Sequence, residues 1–145
     1  MKLHQLSLFI ENRPGQLTVP CQALADEGIN ILTLSLADTE QFGILRLIVP
    51  DWEKAKKVLE DADCVVNVTE VVAIEVRDEP GGMLEILRAL ENAHVNIEYT
   101  YAFTTRHGGK AVLVFRFDDP DEAVKHLQSA GMNVVRNVDL FDMMS

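Results

Sequence analysis

The sequence predicts an α+β fold of two tandem ferredoxin-like βαββαβ sandwiches, each a four-stranded antiparallel sheet with both helices on one face. Two observations predict it: the chain repeats itself once, and both copies show strand-like and helix-like apolar patterns in the same order. The 145 residues suit one ordinary domain or two small ones, and the composition, 48% hydrophobic and 25% charged, excludes a disordered chain. We expect a first domain over residues 1–70 and a second over residues 71–145.

The internal repeat appears when the sequence is shifted by 66 residues. This shift places Pro14-Gly15 on Pro80-Gly81, and Asn30-Ile31 on Asn96-Ile97. Beyond the hairpin of each copy the offset becomes 68, because two residues are added near Gly109. A hairpin tip tolerates such an insertion, so the chain is two copies of one unit.

The first copy begins with an alternating strand pattern over Leu3–Ile10, which the Pro-Gly turn interrupts. A helix follows and ends at Gly28, and Pro20 predicts a kink or a tight first turn in it. Asp51 is expected to cap a second helix. The remaining predictions are helix stripes at Leu17, Cys21, Leu24, Ala25 and at Trp52, Ala55, Val58, Leu59, Ala62, and strands at Ile29–Asp38, Gly43–Val49 and Val65–Thr69.

The second copy repeats this order. Asp119-Pro120 combines a preferred N-cap with a proline in the first turn, so it predicts the start of its second helix. Glu70 is the only residue expected between the two copies. The other predictions are strands at Val71–Arg77, Val95–Thr105, Ala111–Phe117 and Val134–Leu140, and helix stripes at Met83, Ile86, Leu87, Leu90 and at Ala123, Val124, Leu127.

Leucines at alternate positions of the second predicted strand bear on association. Leu32, Leu34 and Leu36 are expected on the face opposite to Ile31, which would pack on the helices. The first copy would then bury both faces of its sheet. This pattern favours association of two chains into a homodimer.

Charge and targeting signals limit the partners. Thirteen basic and 23 acidic side chains give a net charge of −10 without a basic stripe, which argues against nucleic acid and anionic membranes. No apolar run approaches the length of a membrane span, and the N-terminus lacks a signal-peptide pattern. A cytoplasmic location is therefore expected.

Catalytic and metal-binding motifs are not found. The sequence has no GxSxG, P-loop, HExxH or CxxC motif, so we expect no enzyme and no cofactor. The four histidines share no metal-ligand spacing, and Cys21 and Cys64 are expected to be structural thiols. Catalysis by residues that converge only in space stays open as a minority alternative.

Two segments carry a resemblance to a known family. Glu11–Leu17 together with Glu27–Ile31 resembles the ACT domain, a regulatory module that binds small molecules, usually amino acids. Asp78–Met83 and His94–Ile97 match the same pattern more loosely in the second copy. The resemblance covers essentially the whole chain and is closest to stand-alone tandem ACT proteins, which have no attached catalytic domain.

The resemblance also implies a site, because ACT ligands lie between units, against the first strand-to-helix loop and the start of a neighbour's second strand. A Pro-Gly turn that opens a helix agrees with this, since it exposes N–H groups at the positive end of the helix dipole. The implied ligand-binding residues are Asn12, Arg13, Pro14, Gly15, Gln16, Leu17, Asn30 and Ile31 in the first copy, and Asp78, Glu79, Gly81, Gly82, Met83 and Asn96 in the second.

The two copies differ at this implied site. Asn12-Arg13 is replaced by the acidic pair Asp78-Glu79, which would repel a carboxylate and could hold an α-ammonium group. We therefore expect unlike half-sites, with carboxylate contacts from the first copy and ammonium contacts from the second.

Structural explanations for the same residues remain open. The Pro-Gly pairs also fit plain helix-start turns, and Asn30 and Asn96 also fit residues that tie their loops to the sheet edge. The leading function is an amino-acid-binding regulatory protein. The alternative is a subunit that binds no metabolite and docks on a metabolic enzyme.

Overall fold

The computed structural model describes residues 2–104, 109–136 and 139–140, without the side chain of Thr39. Within these residues it confirms the α+β class and the predicted order of elements in both repeats. The helices are α1 (Thr18–Asp26), α2 (Trp52–Asp61), α3 (Gly82–Ala89) and α4 (Pro120–Ser129), and the strands are β1 (Leu3–Glu11), β2 (Thr33–Thr39), β3 (Phe42–Ile48), β4 (Val66–Arg77), β5 (Ile97–Ala102), β6 (Lys110–Phe117) and β7 (Asn133–Val135).

The first compact unit covers His4–Thr69, and its strands follow the order β2-β3-β1-β4. β1 pairs antiparallel with β3, so that Leu6 lies opposite Leu47 and Leu8 opposite Leu45. Both helices pack on the face that carries these leucines. The buried core consists of Leu6, Leu8, Leu24, Leu45, Leu47, Val49, Ala55, Leu59 and Val66.

The second compact unit consists of Met1–Leu3 and Glu70–Ser145. Its strands follow the order β5-β6-β4-β7, and every pair is antiparallel. Phe115 and Phe117 of β6 stack with ring centroids 5.4 Å apart under the helices. The buried core consists of Val72, Ile74, Val76, Ile86, Leu90, Ala93, Phe115, Phe117, Ala123, Leu127 and Val134.

β4 differs from the prediction, which placed two separate strands at Val65–Thr69 and Val71–Arg77. The structure has one strand over Val66–Arg77, and the division between the compact units falls inside it, after Thr69. Glu70 does not interrupt the strand because it is neither glycine nor proline and its carboxylate remains exposed.

The prediction that the first sheet buries leucines on the face away from its helices is wrong. The register pairs Leu34 with Leu47 and Leu36 with Leu45, so both leucines lie on the helix-facing side of β2. They are nevertheless 46% and 50% exposed, because β2 is an edge strand. Ile31 precedes the strand.

The last predicted strand, Val134–Leu140, is also too long. β7 covers only Asn133–Val135, and the Leu140 N–H donates to the Arg136 carbonyl at 2.9 Å instead of to a neighbouring strand. The predicted end of β5 at Thr105 lies outside the described residues.

The helix starts follow the predicted chemistry. The carboxylate of Asp51 accepts from the Lys54 N–H at 3.2 Å, and that of Asp119 accepts from the Glu122 N–H at 3.2 Å. Pro20 lies in the first turn of α1, where its missing N–H has no intrahelical partner to lose.

A left-handed residue directly follows the C-cap of α1, α2 and α4, whereas after α3 the left-handed residue His94 ends the turn that follows the C-cap Leu90. Gly28 corresponds to His94 in the repeat, with φ of 66° and 55°. Asp63 after α2 corresponds to Gly131 after α4, with φ of 66° and 77°. At Gly28 the N–H donates to the Ala25 carbonyl at 3.0 Å, as in a Schellman motif.

Candidate ligand-binding site

The turn between β1 and α1 is open to solvent. Residues 12–15 are all exposed, and Gly15 has a φ of 85° with open space where a Cβ would lie. Leu17 occupies the N-cap of α1 without a side-chain hydrogen bond, and the first turn contains no acidic residue among those described. The positive end of this helix is therefore not compensated by its own side chains.

Asn12 ties this turn to the β2–β3 turn. Its N–H donates to the Gln41 carbonyl at 2.9 Å, and its side-chain Nδ2 donates to the Glu40 carbonyl at 3.2 Å. Arg13 pairs with Glu11. A shallow hollow of about 410 Å³ lies here, lined by Glu11, Asn12, Arg13, Glu40, Gln41 and Phe42.

Sequence reasoning missed three residues of this hollow, Glu40, Gln41 and Phe42. The turn itself was predicted, but its position beside Asn12 depends on the pairing of Glu11 with Phe42 across β1 and β3. Register between strands far apart in sequence follows from the packed sheet, and no local signal marks it.

The predicted helix stripes are only partly buried. Leu17 is 36% exposed and lines a second shallow hollow of about 380 Å³ together with Thr18, Cys21, Gln22 and Ala25. Met83 and Leu87 occupy the equivalent places on α3 and are 38% and 39% exposed. Each repeat thus presents an apolar helix surface, while Leu24, Ile86 and Leu90 of the predicted stripes are buried.

Asn30 and Ile31 lie in the loop between α1 and β2. Ile31 is half-buried and packs against the first core. Asn30 is exposed, and within the described residues it makes no hydrogen bond. The structure therefore does not join Asn30 to the turn at residues 12–17 by any described hydrogen bond.

The turn of the second repeat carries more ion pairs among the described residues. Arg77 forms ion pairs with Glu79 and with Glu85 of the first turn of α3. Asp78 is exposed. A small hollow of about 160 Å³ is lined in part by Arg77, Glu85, Glu75 and Lys110. Lys110 pairs with the largely buried Glu75 at 3.0 Å.

The two glycines of this turn have different roles. Gly81 has a φ of 90° and open space beside it. Gly82 is buried, and a Cβ on it would lie 2.1 Å from the Arg77 carbonyl oxygen. Close approach of α3 to the end of β4 therefore explains Gly82 without a ligand.

Asn96 is held at the start of β5. Its N–H donates to Oδ1 of Asp118 at 2.8 Å, and its carbonyl accepts from the Asp118 N–H at 3.2 Å. The backbone of Asn96 therefore ties its loop to the edge of the sheet, while its side chain is exposed.

Among the described residues, the cysteines and histidines form no metal-binding cluster. Both cysteines are free and half-buried, and burial, followed by the nearby Asp63 carboxylate, raises the pKa of the Cys64 thiol above its usual range. A thiol of this kind is a poor nucleophile. In residues 2–104, 109–136 and 139–140, no group of three or more histidine, cysteine or acidic side chains is placed to hold a metal ion.

Solved structures with the same fold include one close relative. Protein BT0572 from Bacteroides thetaiotaomicron is 38% identical, with 97% of this chain and 96% of that chain covered and a TM-score of 0.90. The regulatory subunit of aspartate kinase from Thermus thermophilus, in a ligand-free form, is 16% identical, with 88% and 91% covered and a TM-score of 0.63. The equivalent subunit from Thermus flavus is 16% identical, with 88% and 92% covered and a TM-score of 0.59.

The family comparison covers nearly the whole chain. No curated protein matches the sequence. Among the described helices, none has the length and apolar character that crossing a membrane requires. The family described as an ACT domain pair matches residues 1–144, in agreement with the two ferredoxin-like units, and the chain belongs to that family.

Proposed function

We propose that this chain is a regulatory protein that binds a free amino acid where ACT units meet, and that occupancy changes the packing of those units. The observation that carries the proposal is the open turn at residues 12–15, which lies before an uncapped helix terminus. Such a terminus stabilises a carboxylate. The fold shared with aspartate kinase regulatory subunits supports a regulatory role.

The first repeat supplies the carboxylate contacts in this proposal, and the second supplies the ammonium contact. Asp78 and Glu79 are both exposed carboxylates of this turn, and Asp78 is the one chosen to test contact with the ammonium group. Alanine at Asp78 should weaken amino-acid binding measured by calorimetry. Unchanged affinity would contradict the division between the repeats.

Thermal unfolding in the presence of each of the twenty amino acids tests the main proposal. A ligand at 100 times its Kd stabilises the native state by about 2.7 kcal/mol, which gives a measurable rise in Tm for one or a few amino acids. Asn30→Ala should reduce that rise. Asn67→Ala, an exposed asparagine on β4 outside the candidate site, is the matched control and should leave it unchanged.

A docking subunit is the second candidate function. Exposed apolar side chains on α1, α3 and β2 favour it, because large exposed apolar patches mark interaction surfaces. A metabolic enzyme is the proposed partner, as aspartate kinase is for the matched subunits. No Tm response to any amino acid, with a cooperatively folded chain, would favour this alternative.

We also propose that the chain is a homodimer, through the edge strand β2. Thr33–Ala37 contains no charged residue and no proline, the features that natural edge strands use to prevent pairing. The half-exposed Leu34 and Leu36 lie on the same strand. The mass in solution tests this proposal, since a 16.2 kDa species at micromolar concentration would contradict it.

A further inference from the structure

The two repeats differ at the start of their second strands, where a carboxylate is present in one and absent in the other. In the second repeat, Oδ1 of Asp118 accepts from the Asn96 N–H at 2.8 Å and from the Asp119 N–H at 2.9 Å. A carboxylate that accepts two backbone N–H groups makes charge-assisted hydrogen bonds. Asn96 is thereby fully engaged along its backbone, since its carbonyl also accepts from the Asp118 N–H.

Pro50 takes the place of Asp118 in the first repeat, at the offset of 68. A proline has no N–H to donate to the carbonyl of Asn30. It also has no carboxylate to accept a hydrogen bond from the N–H of Asn30. The last hydrogen bond between the strands is therefore that of the Leu32 N–H to the Ile48 carbonyl, at 2.9 Å. No described residue hydrogen-bonds to Asn30.

The strand limits show the same difference. β5 begins at Ile97, the counterpart of Ile31, whereas β2 begins only at Thr33. A register shift between Ile97 and Tyr99 brings Asn96 opposite Asp118, and β2 pairs with β3 without such a shift. In the second repeat, the loop before the second strand is therefore hydrogen-bonded to the neighbouring strand end through Asn96 and Asp118. The equivalent loop of the first repeat, at Asn30, has no such hydrogen bonds among the described residues.

We infer that Asp118 occupies, with its own carboxylate, the position beside the start of the second strand where the bound amino acid contacts Asn30 of the first repeat, and that the turn at residues 12–15 contacting the same ligand belongs to a neighbouring unit. Each chain then has one competent amino-acid site, and the equivalent loop of the second repeat is closed by the chain itself. This inference rests on the proposed amino-acid binding and adds its stoichiometry and the residue pair, Pro50 and Asp118, that determines it.

Backbone amide spectra of the full chain test the inference with each of the twenty amino acids as probe. In the wild-type chain, an amino acid that binds should shift the Asn30 amide and leave the Asn96 amide in place, with one ligand bound per chain. A shift at Asn96, or two ligands per chain, would overturn the inference. No shift at either amide would reject both the proposed function and the single site.

Hydrogen exchange of the same amides tests the closure without any ligand. The Asn96 amide should exchange at least about tenfold more slowly than the Asn30 amide, because only a hydrogen-bonded amide is protected. Asp118→Ala should abolish that protection, and Asp118→Asn, which keeps an oxygen acceptor, should retain much of it. Fast exchange at Asn96 in the wild-type chain would contradict the closure even where amino-acid binding is observed.

The reciprocal change is Pro50→Asp, which places a carboxylate beside Asn30. It should slow exchange of the Asn30 amide and weaken binding of the amino acid by about tenfold or more, comparable with the loss of one charge-assisted hydrogen bond. Unchanged affinity in a variant whose Asn30 amide has become protected would show that the ligand binds elsewhere.

Discussion

His94 adopts the left-handed backbone conformation of Gly28, its counterpart in the repeat, with φ of 55° and 66°. Gly28 directly follows the C-cap of α1, whereas His94 ends the turn that follows α3. Left-handed backbone costs a residue with a Cβ about 1–2 kcal/mol, and glycine avoids that cost. The second repeat therefore retains backbone strain at His94, whereas the first repeat has none at Gly28.

His94→Gly should raise the free energy of unfolding by about 0.5–1 kcal/mol, because the relief of strain exceeds the added entropy of the unfolded chain. Urea denaturation measures the change. Gly28→His is the reciprocal control and should destabilise the protein. A less stable H94G variant would show that the imidazole contributes a contact worth more than the strain.

Gly82→Ala should destabilise the second unit by about 3 kcal/mol or more, because the new Cβ would lie 2.1 Å from the Arg77 carbonyl oxygen. Thermal unfolding of the full chain measures the loss. Gly81→Ala is the matched control, since it meets open space and has only the left-handed φ to oppose it. Its expected cost is about 1 kcal/mol. Similar losses at both positions would contradict this assignment of roles.

The thiol of Cys64 should titrate at a higher pH than an exposed cysteine, because burial disfavours the thiolate and the Asp63 carboxylate repels it, so that its pKa is raised. A pKa that is raised in the folded state contributes stability below the unfolded pKa, and this contribution is lost as the pH rises through the folded value. Thiolate absorbance of a Cys21→Ser variant measures Cys64 alone. Asp63→Asn, which keeps a residue tolerant of left-handed backbone, should lower the midpoint slightly. A midpoint at or below that of a cysteine in an unfolded peptide would contradict the effect of burial.

Leu34→Glu should reduce the mass in solution to 16.2 kDa if β2 forms the homodimer contact, because a charge on an edge strand opposes pairing. Sedimentation gives the mass, and far-ultraviolet circular dichroism checks that the fold is retained. Val65→Glu, at an exposed residue outside β2 and β4, is the control and should leave the dimer intact. Equal effects of both changes would exclude a contact specific to β2.

The features that sequence predicted best were those determined by neighbouring residues. The Pro-Gly turns and the caps Asp51 and Asp119 each depend on a few residues, and so the turns and helix starts lie where they were expected. The exposure of Leu34 could not be predicted in this way, because it depends on which strand lies at the edge of the sheet.

The candidate site was predictable only in part, for the same reason. Asn12 was found from its turn, but its partners Glu40 and Gln41 belong to a turn joined to it only through strand pairing. Gly82 was predicted as a ligand-binding residue from the family resemblance. The structure explains this glycine by close packing against the Arg77 carbonyl oxygen, which no local sequence signal predicts.

The uninterrupted strand β4 has a consequence for protein engineering. The two compact units divide between Thr69 and Glu70, inside the strand Val66–Arg77. A chimaera that exchanges one repeat between relatives must therefore place its crossover within extended backbone, where an inserted or deleted residue would reverse the facing of every later side chain. Exchange of one repeat between members of this family should give a folded protein only when the number of residues in that strand is preserved at the crossover.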